Sequence, residues 1–283
     1  MTFMPCTTLV STAQLAERLD DPDWVVFDCR HDLAKPDSSA KEYAGAHIPG
    51  ARFLHLDRDL AAPLTGKNGR HPLPDPQRFM RTLGAAGVDS NKQVIAYDGQ
   101  TGVYAARLWW MLRWLGHEAV AVLDGGYSKW TREQRPVTSE LTQPTAAHFT
   151  GEPRGLWVDA DDVLRSLGRP GRVLVDARAT DRFRGENETL DPVGGRIPGS
   201  LNRFYRDNLD SGACFKPAAD LRRDFSALLG NHPPDSVVHS CGSGVSACHN
   251  LLAMEIAGLR GSRLYPGSWS EWCSDPARPM EKG

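Results

Sequence analysis

Cys241 heads the run Cys241-Gly242-Ser243-Gly244-Val245-Ser246, in which a thiol is followed by two glycines within the next three residues. The stretch before it, Ser236-Val237-Val238-His239-Ser240, reads as a short buried strand, and a helix is expected to begin near Ser246. In open α/β sheets ligands bind at the carboxyl ends of strands, against helix N-termini. Two glycines let the backbone curl so that successive N–H groups face inward, with the positive end of a helix behind them, and such a nest stabilises an anion. A cysteine at its mouth is expected to have a lowered pKa and to exist largely as thiolate, the nucleophilic form. The competing reading is a buried structural cysteine at a strand end, because free Cys packs well. The Gly-x-Gly loop directly after Cys241 favours the reactive thiol.

A cysteine in a nest before a helix also describes the cysteine phosphatases. Those enzymes need an arginine six residues after the cysteine to clamp phosphate, and that position here is Ala247. No Lys or Arg occurs from 242 to 247, so a phosphate dianion would find N–H donors in the loop but no cation. The other cysteines are Cys6, Cys29, Cys214, Cys248 and Cys273, with no Cys-x-x-Cys pair and nothing that points to a zinc site. Cys248 falls two residues into the expected helix, where a structural role fits.

The elements that position Cys241 occur twice. Trp24-Val25-Val26-Phe27-Asp28 recurs as Arg172-Val173-Leu174-Val175-Asp176, and His47-Ile48-Pro49-Gly50-Ala51 as Arg196-Ile197-Pro198-Gly199-Ser200. Gln93-Val94-Ile95-Ala96-Tyr97 answers Ser236 to Ser240, and Asp124-Gly125-Gly126-Tyr127-Ser128-Lys129-Trp130 answers Pro266-Gly267-Ser268-Trp269-Ser270-Glu271-Trp272. Gly102 and Trp130 are as far apart as Gly244 and Trp272. Four matched blocks in the same order mark a duplicated domain. Each copy alternates Val-rich strands with amphipathic helical stretches, such as 105–115 and 246–258, which predicts an α/β fold: a mainly parallel sheet with helices on both faces. The first copy carries Asp98 where the second has Cys241, in Asp98-Gly99-Gln100-Thr101-Gly102-Val103. A carboxylate cannot serve as a sulfur nucleophile, so the first copy is expected to support and wall the site without reacting itself.

The boundary falls in the Pro-, Thr- and Gly-rich stretch 135–156. An N-terminal domain over 1–138, a linker over 139–155 and a C-terminal domain over 156–283 are expected. The 283 residues suffice for two cores of about 140 residues each. A net charge of −2 gives no reason to expect nucleic acid or an anionic membrane surface as partner. No apolar run approaches the roughly 20 residues of a membrane span, and no signal peptide is visible at Met1-Thr2-Phe3-Met4-Pro5-Cys6. Reduced thiols in a cytoplasmic, monomeric protein are the resulting expectation.

Cys241-Gly242-Ser243-Gly244-Val245-Ser246 resembles the active-site loop of the 3-mercaptopyruvate sulfurtransferases, a branch of the tandem-domain rhodanese family, whose loop usually reads Cys-Gly-Ser-Gly-Val-Thr. The His47-Ile48-Pro49-Gly50 and Gly267-Ser268-Trp269-Ser270-Glu271-Trp272 segments and an inactive first copy, with Asp98 at the position of Cys241, extend the likeness over the whole chain. Thiosulfate-preferring members tend to carry basic residues in this loop, so the neutral sequence favours a monoanionic keto-acid thiol as donor over thiosulfate. The resemblance implies a ping-pong sulfur transfer: Cys241 takes sulfur from the donor as a persulfide, then passes it to a small thiol, thioredoxin or cyanide, with no cofactor.

The resemblance also assigns residues. Ser243 matches the family's loop serine, His71 in Arg70-His71-Pro72-Leu73-Pro74 its histidine, and Asp57 in Phe53-Leu54-His55-Leu56-Asp57 its acid, with Asp59 a close rival. By residue type alone His71 stands no higher than His47 or His55. Arg182 matches the arginine expected to hold the donor's carboxylate, while Gly242, Gly244, Val245 and Ser246 would line the substrate. Arg178, Arg184 and Arg182 itself could equally be salt-bridged surface residues. A second arginine, usual nine positions later, is replaced by Asp191: either Arg184 or Arg196 substitutes, or keto-acid binding is weak and the donor is a different one. Arg196 and Ser200 are lesser departures from the family pattern.

Overall fold

The computed structural model describes residues 4–169 and 171–283. The chain divides into two units, the first made of Met1–Ala62, Pro74–Arg154 and Ser211–Cys214, the second of Pro63–Leu73, Gly155–Asp210 and Phe215–Gly283. The segment that carries Arg70 and His71 thus packs with the second unit.

The first unit is built on strands β1 (Leu9–Val10), β2 (Trp24–Asp28), β3 (Arg52–Phe53), β4 (Gln93–Tyr97) and β5 (Val120–Leu123), in the order β1-β5-β4-β2-β3. Every pairing is parallel, with Trp24 opposite Gln93 and Asp28 opposite Tyr97 in the central pair. Its helices are α1 (Thr12–Ala16), α2 (Ser38–Gly45), α3 (Leu56–Asp59), α4 (Pro76–Ala85), α5 (Val103–Trp114) and α6 (Gly126–Arg132). β4 is buried along its whole length and β2 at all but Trp24, as expected of a parallel sheet covered on both faces, so their residues read as continuous apolar runs. Helix α4 shows how local sequence sets an end: the Asp75 carboxylate accepts the Arg78 N–H, and Pro76 takes the first turn, where no donor is needed.

The second unit repeats the plan with β6 (Val173–Asp176), β7 (Leu201–Asn202), β8 (Val237–Ser240) and β9 (Arg263–Leu264), in the order β7-β6-β8-β9. All pairs are again parallel, and Val173 faces Val237 as Asp176 faces Ser240. Its α-helices are α7 (Ala160–Ser166), α8 (Thr180–Arg184), α9 (Ala218–Leu229), α10 (Ser246–Ile256) and α11 (Ser268–Trp272). β1 has no full counterpart here. A single parallel bridge, Trp157 to Leu264, stands in its place.

The duplication extends to atoms. Arg30 forks onto Asp28 and donates to the Ala46 carbonyl, and Arg178 forks onto Asp176 and donates to the Gly195 carbonyl. The Trp130 indole donates to the Pro136 carbonyl and the Trp272 indole to the Pro279 carbonyl, both at 2.8 Å. No helix among the described residues is long and apolar enough to cross a membrane.

Candidate active site

β8 ends at Ser240, α10 starts at Ser246, and the loop between them is Cys241 to Val245. The helix has no side-chain cap, so its first N–H groups are left to the loop. The Cys241 sulfur accepts the Gly244 N–H at 3.1 Å. Gly244 lies in the left-handed region, φ +75, and a Cβ there would stand 2.3 Å from the Pro266 carbonyl oxygen, so the turn requires glycine. Val245 closes the loop, buried, and its carbonyl accepts the Cys248 N–H; the Cys248 thiol donates to the Gly244 carbonyl at 3.3 Å. Cys248 is therefore a structural partner of the loop's backbone.

Helix α11 holds the loop from the other side. Trp269 and Ser270 donate their N–H groups to the carbonyls of Cys241 and Gly242, each at 2.9 Å, and the Ser268 hydroxyl accepts the Cys241 N–H at 3.0 Å. Ser268, to which sequence alone gives no role, thus holds the backbone of the nucleophile. Its signal is its place in Gly267-Ser268-Trp269, which answers Gly125-Gly126-Tyr127 with a serine where the first copy has glycine.

In the first unit the same frame is filled differently. Tyr127 and Ser128 donate to the carbonyls of Asp98 and Gly99, as Trp269 and Ser270 do to theirs. The Asp98 carboxylate then accepts the N–H groups of Gln100, Gly102 and Tyr104. Burial pushes its carboxyl above the ordinary range although these bonds favour the ionised form. A side-chain carboxylate occupies the nest that the second unit leaves to a thiol.

His71 and Ser243 come together: Nδ1 of the imidazole lies 2.7 Å from the serine Oγ, both residues buried. Asp57 belongs to the first unit, on α3, where its N–H is accepted by His55 Nδ1 and its carboxylate stands 4.0 Å from that nitrogen. His31, His55 and Asp57 cluster closely, but the His55 ring is already engaged by the Asp57 N–H and the Pro36 carbonyl. Asp59 accepts the His55 N–H and caps the same turn.

The arginines divide clearly. Arg178, 1% exposed at its side chain, is locked on Asp176 with Glu188 at 3.6 Å. Burial works against its charge, yet Asp176, Glu188 and Cys241 keep its pKa raised. Arg184 pairs loosely with Glu186 at the surface, and Arg196 pairs with Glu281 over the Phe183 ring. Neither takes the part expected of a second arginine. Arg182 forks onto Glu188 at 2.8 and 3.1 Å and reaches Asp191 at 3.5 Å. Asp191 is also bonded to Arg70, whose own N–H donates to the Ser270 hydroxyl at 3.0 Å. A Cβ on Gly242 would meet Arg70 Nη2 at 2.7 Å and Arg182 at 3.7 Å. The loop's own residues are uncharged, as the sequence indicates, but two guanidiniums lie over the residue next to Cys241: Arg182, which the resemblance assigns, and Arg70, which it does not.

Two other thiols are disfavoured as nucleophiles. Burial, with Asp191 adding to it, pushes Cys273 up to about 11, and burial pushes Cys29 well above its ordinary value.

Fold and loop together define a duplicated α/β protein with one cysteine in a backbone cradle at the end of a central strand. The model of the Rhodanese-like domain matches residues 11–133 and 159–275, and the chain belongs to that family. It is 47% identical, over 99% of its length and the whole of the other protein, to a probable 3-mercaptopyruvate sulfurtransferase of Pseudomonas aeruginosa. It is 35% identical to the thiosulfate sulfurtransferase of Bos taurus, covering 93% of this chain and 91% of that one. The crystal structure of a 3-mercaptopyruvate sulfotransferase from Escherichia coli superposes with a TM-score of 0.82 at 31% identity, covering 93% of this chain and 99% of that one. The chain is a sulfurtransferase with two rhodanese-like domains.

Proposed function

We propose that this sulfurtransferase takes sulfur from 3-mercaptopyruvate on Cys241 and passes it, through a persulfide, to a thiol, thioredoxin or cyanide. The observation that carries the reading is the Cys241 sulfur receiving the Gly244 N–H, with guanidiniums over Gly242 and the loop's Ser243 bonded to His71. The thiolate attacks the donor's sulfur; the new S–S bond forms as the donor's C–S bond breaks, and the electron pair leaves on carbon as the enolate of pyruvate. Ser243, bonded to His71, delivers the proton that turns the enolate into pyruvate. An acceptor thiolate then attacks the outer sulfur and releases Cys241 as thiolate. Arg182 binds the donor's carboxylate, and Gly242, Gly244, Val245 and Ser246 form the floor of the site. The resemblance gives Asp57 as the acid of the set.

Mass spectrometry after exposure to each donor tests this. Mercaptopyruvate adds the mass of one sulfur to Cys241; Cys241→Ala abolishes the adduct, and Cys248→Ala retains it. An adduct on another cysteine overturns the reading. Thiosulfate as preferred donor is the second reading, favoured by the two guanidiniums near Gly242. A kcat/KM for thiosulfate tenfold above that for mercaptopyruvate would establish it.

A further inference from the structure

Arg70 is placed by the same helix that places the nucleophile. Its backbone N–H is held by Ser270 Oγ, while Ser270 N–H holds the carbonyl of Gly242. The position of its backbone relative to the active loop is therefore fixed through α11. Asp191 fixes the far end: one carboxylate oxygen takes Arg70 Nη1, and the other takes Arg182 Nη2. With 3% of its side chain exposed, Asp191 is a buried bridge between two cations.

The two guanidiniums are not sealed as Arg178 is. Their side chains are 28% and 21% exposed. Arg70 Nη2 and Arg182 Nη1 have no acceptor among the described residues, and both lie within 4 Å of the point where a Gly242 Cβ would be. Gly242 does not have a left-handed φ, so what excludes a side chain there is this approach. Two N–H donors from different guanidiniums, converging on a gap beside the nucleophile, suit the two oxygens of one carboxylate.

The charges around this gap are matched. Arg70 and Arg182 face Asp191 and Glu188, so a donor entering here finds directional N–H groups without a large excess of positive charge. A monoanion can bind by hydrogen bonds in that setting, while a dianion carries a second charge that no cation is left to meet.

We propose that Arg70 is the second substrate-binding guanidinium, seating the donor's carboxylate together with Arg182, and that Asp191 restricts the seat to monoanionic donors. This rests on the reading of the donor as a carboxylate-bearing thiol.

The test compares 3-mercaptopyruvate, thiosulfate and mercaptoacetone, a keto thiol without the carboxylate, in the wild type and in Arg70→Met, Arg70→Lys and Asp191→Asn. Arg70→Met raises KM for mercaptopyruvate roughly tenfold to hundredfold, the value of a charge-assisted bond, and leaves mercaptoacetone unchanged. Arg70→Lys, which keeps the charge and loses the planar fork, recovers part of that loss. Asp191→Asn shifts the ratio of kcat/KM values toward thiosulfate. An Arg70→Met that weakens mercaptopyruvate and mercaptoacetone alike, or an Arg70→Lys no better than it, overturns the role of Arg70. An unchanged donor ratio in Asp191→Asn overturns the charge limit. A wild type that takes no sulfur from mercaptopyruvate overturns the function itself, and the inference with it.

Discussion

Ser268 accepts the N–H of Cys241 through its side-chain oxygen at 3.0 Å, from a backbone held in the left-handed region at φ +53. The same hydroxyl donates to the Tyr265 carbonyl at 2.8 Å, so its proton and its acceptor site are both committed. A non-glycine residue in that conformation is strained, and the strain is retained where a hydroxyl must face the nucleophile's backbone. Ser268→Ala leaves the buried Cys241 N–H without a partner and should cost about 1–3 kcal/mol. Ser268→Gly loses the same bond but relaxes the backbone, and should be about 1 kcal/mol more stable than the alanine variant. Denaturant unfolding of the three proteins checks the order, and both variants should turn over more slowly than wild type.

The two glycines flanking Ser243 should fail in different ways. An alanine at 244 meets the Pro266 carbonyl oxygen at 2.3 Å from a left-handed backbone, and neither can yield cheaply. Gly244→Ala is expected to cost about 2–4 kcal/mol of stability. An alanine at 242 meets the end of a flexible side chain, Arg70 Nη2. Gly242→Ala should melt within a few degrees of wild type while KM for mercaptopyruvate rises. Thermal melts and steady-state kinetics on both variants separate the two outcomes.

The duplication was readable because each of its blocks is local. Asp28 and Arg30, like Asp176 and Arg178, lie two positions apart, so one short motif carries both the strand end and the fork that pins it. α10 begins at Ser246 as its glycine-bearing loop indicates and ends two residues before the expected 258. β1 escaped notice, being only Leu9 and Val10, too short for any period. Arg70 escaped for a different reason. It lies 121 positions from Asp191, among Gly, Lys and Pro residues that give no pattern. Charge at a site is set by what the fold brings over it. Ser243 and His71, 172 positions apart, met through the resemblance to a family and not through residue type.

Glu188 should set part of the acid limit. Burial raises its pKa, but the Arg182 guanidinium and the N–H groups of Leu190 and Asp191 outweigh burial and hold the carboxyl below the usual range. A carboxyl whose folded-state pKa is depressed stabilises the fold above its unfolded pKa of about 4.3, and that contribution is lost as pH falls through the folded value. The melting temperature of wild type should therefore drop between about pH 5 and pH 3, and Glu188→Gln should drop less over that window while starting lower at neutral pH. Parallel slopes for the two proteins would remove Glu188 from the acid transition.

Ser243 and His71 should matter to one donor more than the other. Breaking the C–S bond of mercaptopyruvate leaves an electron pair on carbon, and the enolate must be stabilised and protonated. Thiosulfate leaves as sulfite, a stable anion that needs no proton. A hydroxyl bonded to a buried imidazole at 2.7 Å can supply that proton in the first case and has no such task in the second. Ser243→Ala and His71→Gln are each expected to lower kcat for mercaptopyruvate by roughly a hundredfold, the usual scale of a general acid. On thiosulfate the same variants should lose much less, and since the two act as a unit, the double variant should lose little more than either alone. Rates of persulfide formation on Cys241 with both donors decide it: equal losses on the two would mean that the pair holds the loop in shape and transfers no proton.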